Sequence, residues 1–272
     1  MFLTNFTLIV IIKQFNFASE MFSFANLFTR EGGKVRVQRK TAGRHFRIPL
    51  IGEPAPSFTA ESTAGTINFP IDFGRNWKVI LSHPMDFTPV CSTELIELAN
   101  LQDEFEKLGV KLITVSTDPL ETHKQWKKTL ENIEYKEYPL QKIDFPIVDD
   151  SNLVIAKLYG MIHAETDNNR DVRGVFIIDA DNKIRAEYFY PQEVGRNMDE
   201  LIRTVIALQT TERNNVMTPA NWKTGSDVLV PFPLKANMSD MNKESGEYYQ
   251  FSWFMIFKKG LVDARNKKTN IS

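Results

Sequence analysis

The chain has 272 residues, 42% hydrophobic and 25% charged, a composition that suits a globular protein with a sizeable core. Its 33 Lys and Arg balance 34 Asp and Glu, so a formal charge of -1 gives no electrostatic reason to bind nucleic acid or an anionic membrane, and points to small-molecule or protein partners. A single cysteine, Cys91, excludes an internal disulfide and a multi-cysteine zinc site, and is compatible with a reducing compartment.

The opening run MFLTNFTLIVII is shorter than the ~20 apolar residues of a membrane span. No basic residue precedes it and no small-x-small cleavage site follows. Residues 1–47, including a basic stretch after Met21, read as a poorly ordered extension, and the expected location is the cytoplasm, with a cleaved presequence as the alternative. After GEPAPSF, whose two prolines disfavour a helix, Trp77–Ser82 has the length and composition of a strand. Leu95, Leu98, Leu101, Phe105 and Leu108 then recur every three or four residues up to Gly109, which marks an amphipathic helix with a glycine stop. Val110–Ser116 reads as a second strand, Pro119–Ile133 as a helix and Asn152–Leu158 as a third helix. Gly174–Asp179 and Lys183–Tyr190 flank the polar turn Ala-Asp-Asn as antiparallel strands, and Asn197 is placed to cap a helix over Met198–Gln209. The order strand, helix, strand, helix implies a parallel crossover. The expected class is therefore α/β, a mixed sheet with helices on both faces and thioredoxin-like complexity, over residues 48–210. From residue 211 to 272 prolines and the run KANMSDMNKESGE break the pattern. Phe251, Trp253, Phe254 and Phe257 then form an apolar patch that should pack on the main domain or a second subunit.

The segment joining the first strand to the long helix carries the chemistry. Thr88 is a favoured N-cap type and Pro89 a favoured first helical residue, so Cys91 falls in the opening turn, where unpaired N–H groups and the helix dipole favour an anion. Such a setting, with a nearby cation, can lower a thiol pKa from ~8.5 to roughly 3.5–7.5 and yield a nucleophilic thiolate. The competing reading of an isolated cysteine is a small buried hydrophobe.

Pro84, Thr88 and Cys91 fit the pattern Pro-x-x-x-Thr-x-x-Cys, which resembles the active-site signature of peroxiredoxins, and SHPMDFTPVCSTEL resembles the one-cysteine subfamily. The likeness continues through DFPIVDD, Arg173-Gly174-Val175-Phe176, YPQEVGRN and TPANWKTGSDV, spanning roughly residues 50–230. The resemblance implies a thioredoxin-like fold and a thiol-dependent peroxidase that reduces hydrogen peroxide and organic hydroperoxides. In that scheme the Cys91 thiolate attacks the peroxide, while the Thr88 hydroxyl, the Cys91 N–H and the Arg173 guanidinium hold its oxygens. Pro84 shields the thiolate, and His83, Glu94 and Arg196 line or support the pocket, Glu94 by orienting an arginine. With no second cysteine, the sulfenic acid needs an external reductant, either a small thiol or a thioredoxin- or glutaredoxin-like protein. The resemblance also implies a homodimer or larger homo-oligomer.

Other readings are a cysteine hydrolase pairing Cys91 with His83, His123 or His163, and a dimeric redox-sensing or binding module switched by oxidation of Cys91. A thioredoxin-type reductase lacks its Cys-x-x-Cys pair here. A phospholipase activity is not carried over, because GRNWK places Asn76 where such relatives have a serine. No cofactor is expected, since neither Gly-x-Gly-x-x-Gly nor a phosphate loop occurs, and none of the four histidines has metal-ligand spacing. His123, near Trp126, is expected in a surface or packing role.

Overall fold

In a computed structural model the described residues are 47–163, 170–231 and 246–260, together with the backbone of 30–31 and 34–35. The chain divides into two units, Met1–His45 and Phe46–Ser272. In the first, Arg30–Glu31 (β1) pairs antiparallel with Lys34–Val35 (β2). The rest of the expected extension lies outside the described residues, as does most of the run KANMSDMNKESGE.

The second unit is built on a five-stranded sheet. Its strands are Trp77–Ser82 (β5), Val110–Ser116 (β6), Ile147–Asp149 (β7), Arg173–Ile178 (β8) and Ile184–Tyr190 (β9), in the order β7-β6-β5-β8-β9. β5, β6 and β7 run parallel, whereas β8 is antiparallel to both β5 and β9, so the sheet is mixed as its element order implies. A strand's side chains alternate between faces, and here both faces are buried. Val79, Leu81, Val175 and Ile177 meet one face's cover: helices Pro89–Lys107 (α1), Leu120–Leu130 (α2) and Met198–Asn214 (α4). Ile80, Ile113, Phe176 and Ile178 meet the other: the short helix Val154–Leu158 (α3) and the hairpin of Phe58–Ala60 (β3) with Ile67–Phe69 (β4).

The boundaries differ in ways local chemistry explains. α4 runs five residues beyond Gln209, ending where Asn215 adopts the left-handed conformation that closes a helix (φ 48°). Its N-terminus is capped as its sequence implies, the Asn197 side chain accepting the Glu200 N–H at 3.1 Å. β3, β4 and β7 have three residues each, too few for alternation to be read. At the end of α3, Gly160 has φ +63°, and an added Cβ would lie 2.5 Å from Ile48 Cγ1, so only glycine fits. In the C-terminal region Val228–Leu229 (β10), Tyr248–Ser252 (β11) and Met255–Lys258 (β12) make a small antiparallel sheet. Phe251, Trp253 and Phe254 stay exposed at its hairpin.

One core group runs against the pattern of paired buried charge. Asp171 is fully buried, and neither carboxyl oxygen has a hydrogen-bond partner among the described residues. Burial, and then the proximity of Asp150, push its pKa well above the ordinary 3.8, so folding favours the protonated acid. The unfolded chain releases that proton first, so stability falls as pH rises past that value and levels off once the folded acid ionises. Asp171→Leu is expected to raise stability at neutral pH by about 1–3 kcal/mol and to flatten this decline, as read from denaturant melts across a pH series.

Candidate active site

β5 ends at the sheet's C-terminal edge and hands the chain to the turn His83–Thr88, from which α1 starts. Pro89 takes the first helical position and Thr88 is the extended N-cap residue (φ −101°, ψ 148°). The Thr88 side chain does not cap the helix, in contrast to its residue type's usual habit. Its hydroxyl instead donates to the Met85 carbonyl at 2.8 Å, folding the turn back on itself. Helical bonding begins with Ser92 N–H to Thr88 O at 2.9 Å, so Cys91, third in the helix, lies within the first turn. It is a free thiol with no solvent exposure.

Arg173, first residue of β8, is brought to it across the sheet. Its Nη1 lies 3.3 Å from Cys91 Sγ and 2.7 Å from Glu94 Oε2, while Nε and Nη2 donate to Gln192 O at 2.9 and 2.7 Å. The guanidinium is thus locked in position and presents an N–H to the sulfur. Glu94, one turn along α1, also binds Arg196. Oε1 accepts from the Arg196 backbone N–H at 2.8 Å and Nε at 2.9 Å, and Oε2 from Nη2 at 2.7 Å. Arg196 Nη1 reaches the carbonyls of Ser82 and Gly174, both at 2.9 Å, and so ties β5, β8 and α1 together. Burial alone pushes the Glu94 carboxyl up, but the charge and hydrogen bonds of Arg196 and the charge of Arg173 outweigh it and hold it below the usual range. Two buried guanidinium groups against one carboxylate leave one unit of positive charge in this cluster, beside the Cys91 sulfur.

The other residues singled out from sequence also gather here. Pro84 is buried, its carbonyl accepting from Arg170 Nη1 at 3.1 Å. His83 is fully buried and its Nε2 lies 2.8 Å from Asp86 Oδ1. His123 is not at the surface: it is fully buried on α2, with Nδ1 2.6 Å from Asp86 Oδ2. Five residues at the site had no signal in the sequence: Asp86, Asp118, Arg170, Gln192, and His123 as a hydrogen-bonding partner. Asp118 accepts the Asp86 N–H at 2.6 Å and pairs with Arg170 at 3.6 Å. The segments that supply these groups lie tens of residues apart, and only the sheet brings them together. Among the described residues, no group of three or more His, Cys, Asp or Glu is arranged to hold a metal ion.

A lone thiol in the first turn of a helix, faced by a clamped arginine on a thioredoxin-like sheet, defines a thiol enzyme of that fold. Residues 51–187 match the AhpC/TSA family, and residues 207–239 match the C-terminal domain of 1-Cys peroxiredoxin. A peroxiredoxin of Methanosarcina mazei is 45% identical over 215 residues, covering 78% of this chain and 98% of that protein. Peroxiredoxin-6 of Pongo abelii is 43% identical over 185 residues, covering 66% and 82%. The structure of a yeast mitochondrial 1-Cys peroxiredoxin, described as resolved through the glutathione/thioredoxin systems, superposes with a TM-score of 0.70 at 36% identity, covering 78% of this chain and all of that one. The chain belongs to the peroxiredoxins, in their 1-Cys group, and is a thiol-dependent peroxidase acting through a single cysteine. That cysteine is Cys91.

Proposed function

We propose that this chain reduces hydrogen peroxide and organic hydroperoxides by a direct displacement at Cys91, in which Thr88 and Arg173 hold the peroxide and Pro84, His83, Glu94 and Arg196 shape its pocket. The observation that carries the assignment is the 3.3 Å contact between Arg173 Nη1 and Cys91 Sγ within a cluster holding one surplus positive charge. The thiolate attacks the nearer peroxide oxygen, a sulfur–oxygen bond forms and the oxygen–oxygen bond breaks. The departing oxygen takes up a proton and leaves as water or an alcohol. Sulfur is oxidised by two electrons and the peroxide is reduced by two, leaving a sulfenic acid. Because the Thr88 hydroxyl hydrogen is committed to Met85 O, its oxygen is the acceptor for the peroxide hydrogen, and Arg173 donates to the oxygen that gains charge. Thr88→Val is expected to lower the second-order rate constant for hydrogen peroxide by about 10²–10³-fold, with Thr88→Ser much closer to the parent, as stopped-flow mixing will show.

An external thiol then condenses with the sulfenic acid, releasing water and forming a mixed disulfide, and a second thiol frees Cys91 as a new disulfide leaves. Steady-state turnover with a small thiol, compared with thioredoxin and glutaredoxin proteins, identifies the reductant class. Peroxide consumption that stops after one equivalent with every thiol tried would contradict catalysis.

The region 211–272 is assigned to an arm on the domain 48–210 that joins two copies of the chain. Supporting this are the match of residues 207–239 to the 1-Cys C-terminal domain and the exposure of Phe251 (74%), Trp253 (67%) and Phe254 (52%) on one hairpin. Sedimentation is expected to show a dimer or larger homo-oligomer that dissociates toward monomer in the double variant Phe251→Ser with Trp253→Ser. The assigned location is the cytoplasm. Because one relative is a mitochondrial protein of Saccharomyces cerevisiae, residues 1–47 fused to a fluorescent reporter provide the test: diffuse signal is expected, and organelle-confined signal would overturn it.

A further inference from the structure

Beside the cluster of Cys91, Arg173, Glu94 and Arg196 the site holds a second buried network. The Asp86 carboxylate bridges His83 Nε2 (2.8 Å) and His123 Nδ1 (2.6 Å). The three groups are at most 3% exposed. Burial tends to raise the Asp86 pKa, but the hydrogen bonds from His123 and then His83 outweigh it and hold the acid below its ordinary range. An ionised carboxylate has no hydrogen to give, so both contacting nitrogens must be donors. Burial also lowers the His83 pKa, which favours the neutral ring. Its proton is therefore on Nε2, and Nδ1 is left bare. His123 donates from Nδ1. Among the described residues, His83 Nδ1 and His123 Nε2 have no hydrogen-bond partner.

The same aspartate sits in the turn that carries Pro84 and Thr88 and leads into α1. Its N–H is held by Asp118 at 2.6 Å, just ahead of α2. The next residue, Phe87, is a non-glycine at φ +54°, a strained left-handed conformation that surrounding contacts must offset. α2 makes a second hold close by: Trp126 Nε1 donates to Ser92 Oγ at 3.2 Å, and its ring lies 5.0 Å from that of His83.

We propose that Asp86 and His123 are positioning residues for the peroxide-reducing step: through paired N–H contacts they fix the His83 tautomer and hold the 84–88 turn, and so Pro84 and Thr88, against Cys91. The inference rests on the proposed reading of the site. It makes the proton on His123 Nδ1, rather than the bulk of the ring, the feature that matters.

That distinction gives a test a packing role would fail. An asparagine amide can place an N–H near the position of Nδ1, whereas leucine fills the space without a donor. His123→Leu and Asp86→Asn are each expected to slow the reaction with hydrogen peroxide about 10- to 100-fold, the usual scale for second-tier partners, while His123→Asn stays within about threefold of the parent. In ¹⁵N-labelled wild-type protein, the two buried rings should report one Nε2–H neutral tautomer and one Nδ1-protonated ring. In Asp86→Asn, whose amide offers one acceptor and one donor, one ring should switch. A folded His123→Leu protein with the parent rate, or a wild-type His83 protonated on Nδ1, would overturn the proposal. Should His123→Leu not fold, Asp86→Asn and the wild-type spectrum decide. If Cys91→Ser consumes peroxide as fast as the parent, the reading of the site fails instead, whatever the tautomers prove to be.

Discussion

Cys91→Ser is expected to abolish thiol-dependent peroxide consumption, a loss of more than about 10⁴-fold, while leaving the fold unchanged. The magnitude follows from what the sulfur supplies. Serine keeps the shape of the side chain and its place in the first turn of α1, but a hydroxyl is a far weaker nucleophile than sulfur and forms no sulfenic acid. Nothing else in the site can stand in, because the chain contains no second cysteine and the neighbouring histidines are engaged with Asp86. The check is peroxide consumption with an external thiol present, run beside a thermal melt. A melting temperature close to the parent separates lost chemistry from lost structure.

Glu94→Gln is expected to produce the largest loss of stability. Glu94 is 3% exposed and is the counter-ion of both Arg173 and Arg196. Removing its charge leaves two buried guanidinium groups without an anion, a change of about 3–5 kcal/mol when one partner of a buried pair is deleted. For a chain of this size that corresponds to a fall in melting temperature of roughly 6–20 °C. The rate with peroxide should fall as well, since the Arg173 Nη1 that contacts the sulfur is oriented by the same carboxylate. The pH dependence has a definite sign. Because the folded Glu94 pKa is depressed below its ordinary 4.5, its stabilisation is present above that value and is lost as pH falls through the folded pKa. The parent should therefore lose stability on acidification over a range in which Glu94→Gln loses less.

Much of this protein was legible before its structure, for reasons that can be located. β5, β6 and β8 are largely apolar runs of six or seven residues, β9 is an aromatic-rich run following a polar turn, and α1 repeats its apolar residues at helical spacing, so element type and order follow from local pattern. Thr88, Pro89 and Cys91 were readable as a helix start because cap and first-turn preferences are set by neighbouring backbone. The cap bond itself was not. Thr88 found a competing acceptor in Met85 O, which depends on the turn. The three-residue strands β3, β4 and β7 are held by pairing and by the core beneath them, and leave little trace in their own residues. The contacts of Asp86 with His123, 37 residues away, and of Arg173 with Gln192 O exist only once α2 and the β9–α4 connection have packed. Arg173, Glu94 and Arg196 were reached through family resemblance, because no local pattern in one sequence marks three residues that meet across a sheet.

Every step proposed for this protein depends on peroxide oxidising one particular sulfur to a sulfenic acid. Reduced protein is treated with one equivalent of hydrogen peroxide, trapped at once with a carbon nucleophile selective for sulfenic acids, and digested for mass spectrometry. One adduct per chain is expected, on the peptide containing Cys91, formed as fast as peroxide disappears. Rapid loss of peroxide with Cys91 recovered as an unmodified thiol would contradict it.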